Sequence, residues 1–170
     1  MIATADWTIR RLTTADLPPF RTARLDALRL HPQAYGSAYE EEIAFALDDF
    51  AARWPAAPGA MFGAFAGDRL IGITGLQVEP RVKRRHKGFI YSVYVEESFR
   101  GRGVAAALGE AAIAAARHAA LRFVWLSVSV GNEARRTYER LGFQTFGIER
   151  RSLLVDGVFV DTELMQLNLD

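Results

Sequence analysis

The stretch from Tyr94 to Ile113, YVEESFRGRGVAAALGEAAI, places two glycines and two arginines between an apolar segment and an alanine-rich one. The preceding GFIYSVYV, residues 88–95, predicts a strand with both faces covered, and the segment from Gly103 to about His118 predicts a helix. A helix that starts directly after such a turn offers backbone N–H groups that lack internal partners and carry partial positive charge. We therefore expect an anion to bind at this turn.

Periodicity and turn signals along the rest of the chain predict the element order β-α-α-β-β-β-α-β-α-β-β. The first helix is predicted over about Leu17 to Leu30 and the second over about Glu40 to Arg53. Tight hairpin turns are predicted at Gly67-Asp68 and at Asp156-Gly157. This order indicates an α/β fold, a mixed sheet with helices on both faces, and the length of 170 residues suits one domain over 1–170.

Composition excludes several classes of function. The chain has no cysteine, which excludes a disulfide framework, a thiolate zinc site and a cysteine nucleophile, and we assign no metal ligands. The net charge of +1 gives no overall attraction to nucleic acid or to anionic membranes. The one basic run, RVKRRHK at 81–87, is typical of a solvated loop between strands. With no apolar run of ~18 residues and no signal-peptide pattern at the start, we expect a cytoplasmic protein.

The glycine turn does not follow the common nucleotide motifs. A Walker phosphate loop ends in Gly-Lys-Ser/Thr, and a dinucleotide fingerprint has three spaced glycines early in a βαβ unit. Here the turn follows the pattern Arg100-x-x-Gly103-x-Ala105. In isolation this pattern is weak, because many such loops contain glycine only to turn.

In its context, VYVEESFRGRGVAAALGEAAI resembles the acyl-CoA-binding motif of the GNAT family of N-acetyltransferases, Gln/Arg-x-x-Gly-x-Gly/Ala. Farther along, NEARRTYERLGF (132–143) resembles the family's second cofactor segment, and RLDALRLHPQAYGSAYEEE (24–42) its acceptor-side segment. The resemblance covers nearly the whole chain. It implies a GNAT-type fold, with a central, mostly antiparallel sheet, and acetyl-CoA as the co-substrate.

The resemblance also implies which residues bind the cofactor. The backbone N–H groups of Arg102, Gly103, Val104 and Ala105 would point at the pyrophosphate, Gly101 and Gly103 would permit close approach, and Arg100 and Arg102 would add charge at the rim. By analogy with the family, the strand should splay from its neighbour at its end and offer backbone groups to the pantetheine arm. These strand positions are Val93, Tyr94 and Val95.

One tyrosine and one asparagine are implied to act in the second cofactor segment. Tyr138 shares a helix face with Ala134 and Leu141 and so points inward. In the family, the tyrosine at this place is the general acid toward the departing thiolate; the structural alternative is a core tyrosine whose hydroxyl bonds to backbone. Asn132 stands six residues before Tyr138, where relatives commonly have seven, so it is a helix cap, a cofactor ligand or both.

The general base stays unassigned. Relatives often carry a glutamate early in the strand before the glycine turn, where this sequence has Phe89. Deprotonation through water to a nearby side chain, or an acceptor amine of low pKa, are both open. The glutamates concerned also suit a solvated first turn of a helix, which we favour for at least two of them, and the tyrosines that could line an acceptor pocket also suit simple packing. The candidates are Glu40, Glu41, Glu42 and Ser92 for the base, and Tyr35, Tyr39 and Tyr91 for the pocket.

The hypothesis from sequence is direct transfer of an acetyl group from acetyl-CoA to a primary amine of a small molecule or peptide, in a ternary complex. The alternative is a non-catalytic module that binds coenzyme A as a sensor or scaffold. A nucleotide-binding protein is a third, weaker reading. The apolar C-terminal hairpin offers an edge for a homodimer, although exposed edges are also protected in other ways.

Overall fold

The computed structural model describes residues 6–170. Met1 to Ala5, which include the start of the sequence and the first residue of the ADWTIRRLT segment, lie outside the described residues. The strands are β1 (Thr8–Arg11), β2 (Ala60–Ala66), β3 (Arg69–Val78), β4 (Lys87–Val95), β5 (Phe123–Ser129), β6 (Gln144–Val155) and β7 (Val158–Asn168). The helices are α1 (Leu17–Leu30), α2 (Tyr39–Glu42), α3 (Leu47–Ala52), α4 (Val104–His118) and α5 (Ala134–Arg140).

All seven strands form one sheet in the order β1-β2-β3-β4-β5-β7-β6. The β4–β5 pair is parallel and every other pair is antiparallel. The mixed, mostly antiparallel sheet and the α/β class are as the sequence predicts. The hairpin turns also lie where predicted, with Gly67 at φ +58° and Asp156 and Gly157 at φ +50° and +77°.

The prediction of a single continuous second helix is wrong. The sequence predicts one helix over about Glu40 to Arg53, but the chain forms α2 and α3 with a break between them. The break is caused in part by contacts with residues that are distant in the sequence. The Arg21 guanidinium, from α1, donates hydrogen bonds to the carbonyls of Ile43 and Phe45, and the Asp49 carboxylate accepts the N–H of Ala46 and begins a new helix.

Helices cover both faces of the sheet. On β4, Tyr94 packs in a cluster with α1 residues such as Phe20 and Ala27, whereas the next residue, Val95, packs with Leu108 of α4. Because successive strand residues point to opposite faces, α1 and α4 lie on opposite sides. The described residues contain no helix that is long and apolar enough to span a membrane.

The C-terminal hairpin exposes several large apolar side chains. Leu154, Val158 and Phe159 are 62%, 61% and 53% exposed. They flank the turn at Asp156-Gly157, and β6 is an edge strand of the sheet. Pairing of this hairpin with a second copy stays a prediction.

Replacing Leu108 with alanine should lower the free energy of unfolding by about 2–5 kcal/mol, because the side chain is fully buried between α4 and the sheet. The same truncation at the exposed Leu154 should change it by about 0.5 kcal/mol or less. Urea unfolding of both variants gives the comparison. Equal losses would contradict this packing.

Candidate active site

Strands β4 and β5 share a short ladder and then part. They pair only through Lys87–Phe89 against Phe123–Trp125, while β5 stays paired with β7 along its whole length. Beyond this ladder, a cavity of about 770 Å³ is lined by residues 89–95 of β4 and 126–129 of β5. The splay expected at the end of β4 is therefore present.

A β-bulge shapes the β4 wall of the cavity. Ile73 of β3 lies opposite Tyr94 and Gly75 lies opposite Tyr91, so β4 has one residue more than β3 over this span. Ser92, inside the bulge, has φ +54°, in the left-handed region that is uncommon for a side chain other than glycine. A bulge leaves one residue out of the ladder and redirects its neighbours, here toward the cavity. The sequence analysis named Ser92 only as a candidate base and did not predict the bulge.

The glycine turn opens into the same cavity. Gly101 and Gly103 have φ +72° and +82°, and a Cβ on either would meet no protein atom within 4 Å. Within residues 6–170, the amides of positions 101–106 donate no hydrogen bond to the protein, and Ala107 is the first amide of this segment to do so. The free space and the unpartnered amides fit a phosphate-bearing ligand.

The two arginines of the turn differ in position. Arg100 lines the cavity, where its Nε donates to the Val95 carbonyl at 3.1 Å and its Nη2 lies 2.6 Å from His31 Nε2. Burial and the charge of Arg100 lower the pKa of His31, so its Nε2 accepts this bond as neutral imidazole. Arg102 is not part of the cavity lining, and its guanidinium lies over the Phe99 ring, 5.2 Å from the centroid.

Tyr138 faces the cavity from α5. Its side chain is 8% exposed, and its hydroxyl makes no hydrogen bond within the described part of the chain. In residues 6–170, Thr74 Oγ1 is the one fully buried side-chain polar atom that lacks a hydrogen-bond partner. The Tyr138 hydroxyl also lacks a partner there but is not fully buried, so it is open to the cavity. Burial, with a smaller contribution from Tyr35, raises the pKa of Tyr138, which keeps its proton in place at neutral pH.

The position of Tyr138 depends on how α5 is packed. A Cβ on Gly109 of α4 would come within 2.6 Å of the Leu141 side chain, so the two helices approach closely there. At the other side of α5, Arg135 Nε donates to the buried carboxylate of Glu163 on β7 at 2.8 Å. Asn132 lines the cavity and its Oδ1 accepts the Ala134 N–H at 2.9 Å, which is the predicted cap.

A buried ion pair on the α1 side was not predicted. Arg24 Nε and Nη2 donate to the two carboxylate oxygens of Glu42 at 2.9 and 2.7 Å, and Arg24 Nη1 donates to Ser92 Oγ at 3.2 Å. Burial acts to raise the pKa of Glu42, but the hydrogen bonds and charge of Arg24 outweigh it and lower the pKa overall. Glu42 is therefore an ionised partner of Arg24 and a poor proton acceptor.

The other candidates for the base and for the pocket differ in exposure and in whether they line the cavity. Glu40 and Glu41 are exposed, and Glu41 accepts the Ala38 N–H at the start of α2, as expected for a solvated first turn. Tyr35 and Tyr91 line the cavity, whereas Tyr39 does not. The Tyr35 hydroxyl donates to the Val93 carbonyl at 2.7 Å, and burial raises the pKa of both cavity tyrosines to about 12.

The cavity thus gathers Tyr138 and all the residues that the sequence indicated for cofactor binding except Arg102, whereas the base candidates Glu40, Glu41 and Glu42 lie outside its lining. Two of the strand carbonyls expected to face the pantetheine arm, those of Val93 and Val95, already accept hydrogen bonds from Tyr35 and Arg100. Each keeps a second lone pair. The residues brought together are Val93, Tyr94, Val95, Arg100, Gly101, Gly103, Val104, Ala105, Asn132 and Tyr138.

Comparison with known proteins identifies the family of this chain. The family model for the acetyltransferase (GNAT) family matches residues 24–143, and the chain belongs to this family. It is an acyltransferase that uses acetyl-CoA as co-substrate. No curated protein matches the sequence.

Solved structures show the same fold at low identity. A protein of Salmonella typhimurium, described as an acetyltransferase and solved with its cofactor acetyl-CoA, is 22% identical with a TM-score of 0.85, over 98% of this chain and 95% of that one. A GNAT acetyltransferase of Streptococcus pneumoniae is 22% identical with a TM-score of 0.79, over 96% and 99%. Ribosomal-protein-alanine N-acetyltransferase of Brucella melitensis is 22% identical with a TM-score of 0.77, over 95% and 99%.

Replacing Glu42 with glutamine should destabilise the protein at pH 7 by about 3 kcal/mol, because it leaves Arg24 buried without its counter-charge. The folded-state pKa of Glu42 is lowered, so the stability from this ionised group is present above 4.5, the value taken for an unperturbed glutamate. It is lost as the pH falls below that value through the folded pKa. The difference in the free energy of unfolding between the variant and the wild type should therefore become smaller toward acid pH.

Urea unfolding at a series of pH values from neutral to acid measures this gap. The replacement of the exposed Glu40 by glutamine is the matched control and should leave stability nearly unchanged throughout. A gap for Glu42 that is constant with pH would show that its charge does not stabilise the fold.

Proposed function

We propose that the chain, acting as one domain over residues 1–170, transfers the acetyl group of acetyl-CoA to a primary amine by direct attack in a ternary complex. The observation that carries this proposal is a single cavity with two features. One is a set of unpartnered amides at the start of α4, and the other is the unpaired hydroxyl of Tyr138. Membership of the family identifies acetyl-CoA as the co-substrate. Location in the cytoplasm stays a prediction.

Binding of the co-substrate is assigned to the glycine turn and to the open end of β4. The amides of Arg102, Gly103, Val104 and Ala105 would hold the pyrophosphate, with positive charge from Arg100 beside them. Backbone groups between Val93 and Val95 would hold the pantetheine arm. Asn132, whose Oδ1 caps α5 with one lone pair, keeps its side-chain N–H groups and a second lone pair for a ligand.

Acetyl-CoA supplies the activated acetyl thioester when it is bound, and the protein contributes position and a proton. The bulge at Ser92 takes one residue out of the β3–β4 ladder, so a backbone N–H there is available to polarise an acyl carbonyl. Tyr138 holds the proton that the leaving sulfur requires. A phenol suits this role because it is neutral while it waits in a buried site.

The replacement of Tyr138 by phenylalanine should lower kcat by about 10²–10⁴-fold while the dissociation constant of acetyl-CoA stays close to the wild-type value. Release of free thiol from acetyl-CoA with a panel of primary amines measures kcat, and calorimetry measures binding. Replacing Tyr39, which is outside the cavity lining, by phenylalanine is the control and should leave both unchanged. If the wild type binds acetyl-CoA and acetylates no amine, the chain is a CoA-binding module instead.

The replacement of Gly103 by alanine should weaken acetyl-CoA binding, because φ +82° strains any side chain and the added Cβ enters the space facing the amides. Gly67 is a matched control, since it also has positive φ and open surroundings but lies in the β2–β3 turn. Both variants should lose about 1–2 kcal/mol of stability. An equal dissociation constant for wild type and the Gly103 variant would remove the turn from the binding site.

A further inference from the structure

Arg24 presents unused hydrogen-bond donors to the cavity. An arginine carries five N–H groups, and three here are engaged, two by Glu42 and one by Ser92. The other two have no acceptor within the described residues. The side chain is 12% exposed and lines the cavity, so these donors are available to a bound molecule.

The cavity wall is predominantly basic. Glu42 is not part of the lining, so the cavity meets the guanidinium of this ion pair and not its carboxylate. Within residues 6–170, the sole carboxylate in the lining is that of Glu133, an exposed residue just before α5. Acceptors with several positive charges need carboxylates to replace their hydration, and this wall does not provide them. The positively charged residues of the lining are Arg24, Arg100 and Arg140, and His31 beside Arg100 is neutral.

An aromatic surface lies beside Arg24. Phe89 stacks on Tyr91 with ring centroids 6.0 Å apart and contacts Trp125 at 4.3 Å. The Arg24 guanidinium lies over the Tyr35 ring, 5.4 Å from its centroid. Phe89, Tyr91 and Tyr35 all line the cavity, so the region next to the free donors is suited to an uncharged, apolar group.

We propose that the acceptor is a small primary amine bearing a carboxylate and an apolar or aromatic side chain, that is, an amino acid or a close analogue. The carboxylate accepts the two unused N–H groups of Arg24, and the side chain packs on Phe89 and Tyr91. Arg24 is then a specificity-determining residue. This inference rests on the proposed acetyl transfer for its reaction, but the binding that it requires is measurable without turnover.

The reaction balances without a further reactant. The amine nitrogen bonds to the acetyl carbon, the carbon–sulfur bond breaks, and the sulfur takes up the proton that Tyr138 provides. The ammonium form of the acceptor loses two protons. One goes to water before the attack, and the other leaves the nitrogen after the attack and returns through water to the Tyr138 oxygen. The products are an N-acetylated carboxylic acid and free coenzyme A.

The test compares amines that differ only by the carboxylate. L-leucine is paired with 3-methylbutylamine and L-phenylalanine with 2-phenylethylamine, and spermidine is the polycationic probe. Both thiol release with acetyl-CoA and calorimetric binding to protein saturated with free coenzyme A are measured. In at least one pair, the amino acid should be preferred by about tenfold or more in kcat/KM and in affinity, as a charged hydrogen bond provides. Spermidine should be the poorest probe.

The variant that tests the assignment carries Arg24→Met and Glu42→Gln together, because removing Arg24 alone would leave a buried carboxylate unpaired. This double variant should no longer prefer the amino acid over its matched amine, so the ratios of their kcat/KM values and of their affinities should approach one. The dissociation constant of acetyl-CoA should be unchanged. Arg29→Met is the matched control, since Arg29 is also on α1 but is exposed and outside the cavity lining. It should keep the wild-type preference.

The outcomes separate the two proposals. If the simple amines or spermidine are bound and acetylated as well as the amino acids, the inference about Arg24 is wrong and acetyl transfer stands. A preference that survives in the double variant also overturns it, as does the absence of any amino acid binding. If amino acids bind with the expected preference but no thiol is released, the subsite stands and the proposed transfer fails.

Discussion

The parting of β4 from β5 is the constraint on which the rest of the site depends. Three residue pairs join the strands, and β5 then remains fully bonded to β7 while β4 remains bonded to β3. The opening therefore needs no unpaired core strand and little loss of sheet hydrogen bonding. It places the start of α4 and one face of α5 on the two sides of a single cavity, because α4 follows β4 and α5 follows β5.

The Arg24–Glu42 pair joins the α1 side of the site to the cavity wall by direct hydrogen bonds. It connects α1 and α2, and through Ser92 it reaches the bulge of β4. A buried pair of this kind adds little net stability over an apolar core, but breaking it is costly. Its contribution is to fix a guanidinium in the cavity wall. On the opposite wall, the contact of Gly109 with Leu141 and the Arg135–Glu163 bond hold Tyr138 in place.

Local sequence determined those features that depend on neighbouring residues. The bounds of α1 match the prediction from Leu17 to Leu30, because a proline in the first turn and an amphipathic pattern act within the helix itself. Both hairpin turns and the glycine turn were equally readable, since they require backbone conformations that glycine adopts easily. The role proposed for Tyr138 came only from the family resemblance.

The features that depend on distant residues were decided by the tertiary structure. The break between α2 and α3 arises because Arg21 binds carbonyls more than twenty residues away, and no local pattern encodes such a contact. The same holds for Ser92 and the Arg24–Glu42 pair: Glu42 read as a solvated helix residue because glutamates suit first turns, and only packing against α1 buried it. Sequence thus determined most of the elements and the glycine turn, and tertiary packing decided which charges face the cavity.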